Sequence, residues 1–244
     1  MFVELNQTLR DGSSSDSLSE RTVTIEDQAP TNASFLFYHF ASLFLKNSKG
    51  NVLFIACDQT EAHYTSVASR LGLMLQARQG QPKRFACLEL HSLFSDAVWN
   101  SEATALNDCL LKEVDRLCHS FDSEGPLLII WDNAEILLDL GASLDATRQT
   151  LLSLQKAVYS TAGTLVLGVH SSPRDSALSA FLTHWTDYLL ITRAIGTGFS
   201  KDVTGEVEIQ VRRGRTLPTH HLLHYRLGDR SVKFIAPGLA APIM

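Results

Sequence analysis

The sequence predicts an α/β fold whose sheet is mainly parallel and ends in antiparallel strands. Three continuous apolar runs have the length of buried strands: NVLFIAC (51–57), PLLIIWD (126–132) and GTLVLGVH (163–170). Segments with apolar residues at a spacing near 3.6 separate them, which indicates helices. Buried strands that alternate with helices are typical of a parallel sheet covered on both faces. We expect one domain over residues 1–244.

The first part of the chain opens with a polar stretch and continues into a very apolar helix. Residues 11–20, DGSSSDSLSE, are serine-rich and predict a flexible loop. A strand is predicted at 23–26. The helix that follows is apolar on nearly every side from Phe35 to Leu45, so it has to be buried on several sides.

The remaining elements alternate until the pattern changes near the C-terminus. Helices are predicted at 61–71, 101–120, 144–159 and 177–185, with further strands at 84–90 and 187–194. Three later segments alternate with period two and are separated by turns, at 205–214, 221–228 and 231–236. These predict antiparallel strands at a sheet edge or in a terminal hairpin.

Composition and charge exclude some classes of protein. With 45% hydrophobic and 19% charged residues, the chain is an ordinary globular sequence. It has no apolar run near the roughly 18 residues that span a membrane, and its start lacks the features of a signal peptide. Net charge is −5, yet from Arg193 onward there are eight Lys/Arg and four Asp/Glu. This basic C-terminal part allows contact with a polyanion, although a solvated surface explains it as well.

The four cysteines carry no pattern of a metal or disulfide site. Cys57, Cys87, Cys109 and Cys118 are widely spaced and form no C-x-x-C motif. We expect reduced core thiols of an intracellular protein rather than metal ligands or a disulfide.

The loop at 27–34, DQAPTNAS, lies between a predicted strand and a helix, where a nucleotide-binding protein carries its phosphate loop. That loop needs glycines for backbone approach and a lysine for charge, and both are absent here. Asp27 would repel phosphate, and Pro30 removes a backbone donor. A hydroxyl survives at Thr31 or Ser34. Thr31, Asn32 and Ser34 also suit the N-cap of the following helix.

Asp132 ends a buried strand, where an acid can hold Mg²⁺ or its water in nucleotide hydrolases. A helix cap is the other interpretation of this residue. No glutamate follows the second strand in a position to activate water, since Cys57 and Asp58 end that strand before Glu61. The layout therefore fits a phosphate-loop fold from which the chemistry is mostly missing, and we expect no independent ATP hydrolysis.

The histidines give weaker signals. His220, His221 and His224 cluster without an acid or cysteine at ligand spacing, so a surface loop is favoured over a metal site. His39 on the apolar helix is interpreted as a hydrogen-bonded core residue. His170 ends a buried strand at the edge where α/β sheets place their sites, and it is the better functional candidate.

Several blocks of sequence, in order along the chain, resemble Elongator complex subunit 6. The most specific are RAIGTGFSKDVTGEVEIQVRRG (193–214) and HYRLGDRSVKFIAPG (224–238), which resemble the end of that family. MFVELNQTL, SFLFYHFASLFLK and VLFIACDQTEAHYTSVASRLG resemble its earlier parts. Residues 11–20 and 76–83 are less typical. Each motif alone has low specificity, because the family has no catalytic signature.

The resemblance implies a RecA-like ATPase fold with a degenerate nucleotide loop and no cofactor. It implies a non-catalytic subunit that forms a hetero-hexameric ring with subunits 4 and 5. In the family, that ring binds tRNA, docks onto the catalytic subcomplex of subunits 1, 2 and 3, and supports modification of the wobble uridine. The corresponding location is the cytoplasm and nucleus.

Basic residues near the end of a predicted strand are the candidates for tRNA contact, namely Lys201, Arg212, Arg213 and Arg215. Arginine suits phosphate recognition, but a solvated basic turn or a surface for an acidic partner remains an alternative. Two other functions also stay open. One is an NTPase completed by a neighbouring subunit's lysine or arginine, and the other is a recombination-type RecA-like protein that prefers single-stranded DNA.

Overall fold

The computed structural model describes residues 2–10, 18–48, 50–77, 79–97, 103–171, 177–195, 203–212 and 217–236. The strands are β1 Arg21–Gln28, β2 Asn51–Ala56, β3 Phe85–Glu89, β4 Leu127–Trp131, β5 Thr164–Ser171, β6 Tyr188–Arg193, β7 Gly205–Val211, β8 Thr219–Gly228 and β9 Ser231–Ile235. The helices are α1 Val3–Arg10, α2 Ser34–Ser42, α3 Glu61–Arg70, α4 Leu90–Ala97, α5 Ala103–Cys118, α6 Ile136–Asp139, α7 Leu144–Tyr159 and α8 Ala177–Trp185. A π-helical turn, Leu43–Ser48, extends α2.

All these strands join one sheet in the order β3-β2-β4-β5-β1-β6-β7-β8-β9. Strands β3 to β6 in this order are parallel. The pairs β6–β7, β7–β8 and β8–β9 are antiparallel. The prediction of a parallel sheet with antiparallel C-terminal strands is confirmed.

Two apolar layers cover the sheet. Side chains of α1, α2 and α3 pack on one face, and those of α4, α5, α6, α7 and α8 pack on the other. The antiparallel strands differ from the parallel ones here. Their buried apolar residues, such as Val207, Ile209 and Tyr225, all belong to the first layer. Among the described residues, the second layer therefore ends at the parallel part of the sheet.

Helix α2 is buried along its length, as its composition predicts. Phe35 to Ser42 are all buried. His39 is fully buried, its Nδ1 accepts a hydrogen bond from the Phe2 amide at 3.2 Å, and its ring stacks on Phe2. Burial lowers the pKa of His39 to about 3. The interpretation as a hydrogen-bonded core histidine is confirmed, and this contact also fastens α1 to α2.

Three sequence predictions differ from the structure. The N-cap of α2 is Ala33, without a side-chain cap, rather than Thr31, Asn32 or Ser34. The histidines 220, 221 and 224 lie on β8 instead of a surface loop. Residues 18–20 of the expected flexible loop form a turn, in which the Ser19 hydroxyl donates to the Ala162 carbonyl. Residues 11–17 lie outside the described residues.

The four cysteines form no disulfide, and none of the described helices could cross a membrane. All four cysteines are free and half-buried. Burial raises the pKa of the Cys118 thiol to about 11 and of the Cys87 thiol to about 12. No helix within the described ranges combines the length and apolar character that a transmembrane span requires.

Candidate functional site

The carboxyl ends of β1, β2, β4 and β5 meet at one edge of the sheet, where α/β proteins commonly place a binding site. A crevice of about 240 Å³ opens there. Its lining includes Asp27 near the end of β1, Asp58 after β2, Asp132 after β4 and His170 in β5. The strand order brings these side chains together although they are far apart in sequence.

In the loop between β1 and α2, side-chain oxygens accept hydrogen bonds from backbone amides that would otherwise be available to a phosphate. The Asp27 carboxylate accepts a hydrogen bond from the Ala33 amide at 3.4 Å. The Asn32 side-chain oxygen accepts one from the Ser34 amide at 2.8 Å. These are the first amides of α2, which in an anion site would point at the ligand. Here two side-chain oxygens of the protein already occupy them.

Of the two hydroxyls that the sequence offered, at Thr31 and Ser34, that of Thr31 is engaged within the fold. Thr31 donates to the Gln28 carbonyl at 2.7 Å and lies 3.1 Å from the Thr192 carbonyl of β6. A cis peptide joins Ala29 and Pro30 in the same turn. The loop is thus fastened to the neighbouring strand rather than wrapped around an open cradle.

Asp132 is almost fully buried, at 1% exposure, and ties the ends of two strands together. Its carboxylate accepts hydrogen bonds from the Cys57 amide at 2.8 Å, the Asp58 amide at 3.1 Å and the Tyr64 hydroxyl at 2.5 Å. Desolvation raises the pKa of Asp132, and the hydrogen bonds oppose that shift. Since these three donors are protein groups, the residue fastens β2 and α3 to β4.

The alternative interpretation of Asp132 as a helix cap is wrong. Its partners precede it in the chain, whereas a cap accepts from the amides that follow. The next residue makes that local contact instead, because the Asn133 side chain accepts from the Glu135 amide at 3.1 Å. The continuous apolar run before Asp132 places this residue at the strand end but does not identify its donors.

His170 spans the crevice. Its Nδ1 lies 2.6 Å from an oxygen of Asp27, and its Nε2 lies 2.7 Å from an oxygen of Asp58. These two hydrogen bonds raise the pKa of His170 to about 10. The imidazole is therefore charged at neutral pH and donates from both nitrogens. The pKa of Asp58 is lowered chiefly by its hydrogen bond to His170. We refer to Asp27, His170 and Asp58 as the clasp.

The charged groups that line the crevice disfavour the binding of a nucleotide. Three carboxyl groups and one imidazolium line it, and neither lysine nor arginine occurs among its described lining residues. Phosphate groups need positive charge or free backbone donors. The crevice offers neither, because its one cation is already paired with two carboxylates.

Gly168 lets β5 pass close to the end of β4. A Cβ at this position would lie 2.0 Å from the Asp132 carbonyl oxygen and 2.8 Å from the Phe37 ring. The Gly168 carbonyl accepts from the Ala134 amide at 2.9 Å. Only glycine fits this approach, which brings the β5 end and His170 against the β4 end.

Asp58 and Tyr64 are the site residues that the sequence interpretation missed. Asp58 was noted only as the end of a strand, and Tyr64 as part of a helix. The position of Asp58 directly after a buried strand was a usable signal, since the same position singled out Asp132. Tyr64 gave none, because its hydroxyl reaches Asp132 across a sequence distance of 68 residues.

The candidate tRNA residues lie at another part of the fold. Arg212 follows β7, its amide donates to the Asp187 carbonyl at 2.8 Å, and its buried Nε has no partner among the described residues. Lys201, Arg213 and Arg215 fall outside the described residues. Their role in RNA contact stays a prediction.

The described residues contain no group of three or more His, Cys, Asp or Glu side chains arranged to hold a metal ion. His220 instead lies 3.0 Å from a Glu208 oxygen on the neighbouring strand.

Solved structures with the same fold were found in archaea. The chain is similar to flagellar accessory protein FlaH from Methanocaldococcus jannaschii, with a TM-score of 0.64, 14% identity, and coverage of 94% of this chain and 95% of that one. It is also similar to a KaiC-like protein from Pyrococcus horikoshii, with a TM-score of 0.59, 12% identity, and coverage of 89% and 90%. The fold is RecA-like.

Sequence comparison decides the family. The family described as Elongation complex protein 6 matches residues 2–229. The chain belongs to this family. The curated Elongator complex protein 6 of Xenopus tropicalis is 29% identical over 275 residues, and that of Homo sapiens is 29% identical over 273, each with full coverage of both chains. The Danio rerio protein of the same name is 26% identical over 268 residues.

Proposed function

We propose that this protein is a non-catalytic subunit of the Elongator complex. The observation that carries this proposal is the family match over residues 2–229, together with relatives named Elongator complex protein 6 that align over their full length. A subunit role suits a chain whose carboxyl-edge crevice has its charged groups paired with other groups of the same chain.

The subunit is proposed to form a hetero-hexameric RecA-like ring with Elongator subunits 4 and 5. The ring binds tRNA, docks onto subunits 1, 2 and 3, and supports modification of the wobble uridine in the cytoplasm and nucleus. The RecA-like fold supports this arrangement. So do strands β7 to β9, which carry buried apolar residues on one face only and end the sheet in an edge strand.

The crevice geometry supports a role without nucleotide. The amides of Ala33 and Ser34 have partners within the loop, and the clasp connects the carboxyl ends of β1 and β2 through His170 of β5. No cofactor is proposed. The RecA-like scaffold would serve assembly, while the chemistry resides in another subunit.

A tagged pull-down from native extract, with protein identification and intact-mass analysis, tests the assembly. We expect the other Elongator subunits and a subassembly with the mass of six RecA-like domains. Recovery of the protein alone, or with recombination factors, would contradict the proposal.

Turnover of ATP by the purified ring tests the non-catalytic role. We expect Asp132→Asn to leave any ring turnover unchanged, with Asp139→Asn on the surface of α6 as the control. A loss of turnover in the first variant alone, with the ring still folded and assembled, would instead support an NTPase completed by a neighbour.

Filter binding of tRNA to the assembled ring tests the basic residues. Combined Lys201→Ala, Arg213→Ala and Arg215→Ala changes are expected to weaken binding and reduce its salt dependence. This set omits Arg212, whose half-buried side chain also affects packing. Lys112→Ala with Lys156→Ala, on the helices of the second layer, is the control. Unchanged affinity in the triple variant would remove these residues from the RNA surface.

A further inference from the structure

A second cavity, of about 370 Å³, lies beside the starting ends of β2 and β3, at the opposite edge of the sheet from the clasp. The end of the π-helical turn, the chain after α3 and the residues before β3 enclose it. Its volume falls within the range of ligand sites. Nothing in the function proposed above uses it.

The lining combines apolar side chains with positive charge. Leu73 and Leu75 are buried beneath the cavity, while Met74 is 56% exposed at its border. The cations are Lys46 and Arg84, and no aspartate or glutamate occurs among the described lining residues. In a chain of net charge −5, such a local surplus of positive charge is distinctive.

Neither cation has an acidic partner among the described residues. The Lys46 amine donates to the Gly72 carbonyl, a neutral acceptor, at 3.3 Å. The Nη1 atom of Arg84 is buried and lacks a hydrogen-bond partner within the described ranges. An unpaired buried guanidinium nitrogen is costly. A carboxylate supplied from outside would satisfy it, and guanidinium binds carboxylate in a two-pronged geometry.

The lining favours a peptide over RNA. Proteins that bind single-stranded RNA stack bases on aromatic side chains, and no aromatic residue occurs among the described lining residues. Aliphatic side chains beside two cations instead complement an acidic residue next to an apolar one.

We propose that the cavity beside Lys46 and Arg84 is a docking site for an acidic peptide segment of a partner protein, with a carboxylate between the two cations and an apolar side chain against Met74.

Photo-crosslinking in the full-length protein, expressed in cells, tests this site. Met74 is replaced by p-benzoylphenylalanine, and crosslinked peptides are identified by mass spectrometry after ultraviolet irradiation. Leu152, which is 48% exposed on α7, is the control position. We expect position 74 to capture a defined peptide in which Asp, Glu or a terminal carboxylate lies within a few residues of an apolar side chain.

Charge variants make the test specific. Adding Lys46→Glu to the position-74 variant is expected to reduce the crosslinking yield about tenfold, since it reverses one of the two charges that face the carboxylate. Lys156→Glu, an equal change on an exposed residue of α7, is expected to have no effect. Arg84→Met is a second variant and is expected to weaken the crosslink as well.

Four results would overturn the proposal: capture of nucleic acid, capture of a peptide without a carboxylate, a yield at position 74 no higher than at position 152, or a yield insensitive to Lys46→Glu. Elongator subunits are measured in the same eluate. Their loss with an intact crosslink would contradict the proposed function alone, and their presence without a crosslink would contradict this site alone.

Discussion

The carboxyl ends and the amino ends of the parallel strands, here called the carboxyl edge and the amino edge, differ in whether their charged side chains have partners within the chain. At the carboxyl edge, Asp27, Asp58 and Asp132 are matched by His170, Tyr64 and backbone amides of the same chain. At the amino edge, Lys46 and Arg84 meet no carboxylate among the described residues. At the edge where a RecA-like protein would hold a nucleotide, the charges are paired within the chain, whereas at the other edge they are not.

This difference predicts which charged residues contribute to stability and which are available for binding. A charged group that is paired inside the chain contributes to folding, and its removal leaves a buried partner unsatisfied. A charged group without an internal partner adds no stability, costs some where it is buried, and is available to another molecule. Substitutions at the carboxyl edge should therefore affect the free energy of unfolding, and those at the amino edge should affect partners instead.

The largest effect is expected from Gly168→Ala. The new Cβ would lie 2.0 Å from the Asp132 carbonyl oxygen, so β4 and β5 have to separate. We expect a loss of about 3 kcal/mol in the free energy of unfolding, measured by urea denaturation. Gly228→Ala is the control, because a Cβ there meets nothing closer than 3.4 Å. Equal stability of the two variants would show that β5 tolerates a side chain at this point.

Asp132→Asn is expected to have the next largest effect. The Asp58 amide and the Tyr64 hydroxyl both donate to Oδ2 of Asp132, and an amide nitrogen in that place cannot accept from them. The Cys57 amide can still donate to the oxygen that remains. We expect a loss of about 2 kcal/mol, with Asp139→Asn as an exposed control. Urea denaturation of both variants measures it, and the same stability as the unaltered protein would mean that Asp132 does not fasten β2 to β4.

The sequence predicts the fold, but it identifies only some of the residues that meet at the carboxyl edge. The helices Leu144–Tyr159 and Ala177–Trp185 begin and end where their apolar spacing predicts. Helices α1, α4 and α6 were not predicted, because they are short. Asp132 and His170 were recognised at strand ends because burial patterns mark those ends.

The clasp could not be predicted from local pattern. His170 is 143 residues from Asp27 and 112 from Asp58. The three residues meet only because β5 lies between β1 and β4 in the sheet, with β2 next to β4. That order is a property of the whole fold, and so is the contact between Tyr64 and Asp132. The Arg84 cavity, by contrast, is lined by residues from one stretch of the chain, 45–84.

His170→Gln is expected to have a smaller, pH-dependent effect. The pKa of His170 is raised to about 10, so its contribution to stability is complete below its ordinary value of 6.5 and is lost as pH rises through 10. The lowered pKa of Asp58 means that the contribution of this carboxylate is present above 3.8 and is lost as pH falls. Because the side chain of His170 is 43% exposed, we expect a cost of about 1 kcal/mol between pH 4 and 6.5.

Urea denaturation at pH 5.5, 8 and 9.5 measures this dependence. The difference between the unaltered protein and His170→Gln should shrink steadily over the series. His119→Gln, at a side chain that is 77% exposed, should show little difference at any of these pH values. A difference that grows toward pH 9.5 would mean that His170 is neutral in the folded protein and does not form the clasp as an imidazolium.

The smallest effect on stability, with the opposite sign, is expected at the amino edge. Arg84→Met keeps most of the aliphatic volume and removes a guanidinium whose buried Nη1 has no partner among the described residues. We expect the free energy of unfolding to rise by about 0.5 kcal/mol, since removing an unpaired buried polar group relieves its desolvation. Lys46→Gln at an exposed amine is the matched control and should change it by less. A loss of more than 1 kcal/mol in Arg84→Met, measured by urea denaturation, would mean that the guanidinium has a stabilising partner inside the chain. The contrast between the two edges would then fail at the residue on which it depends most.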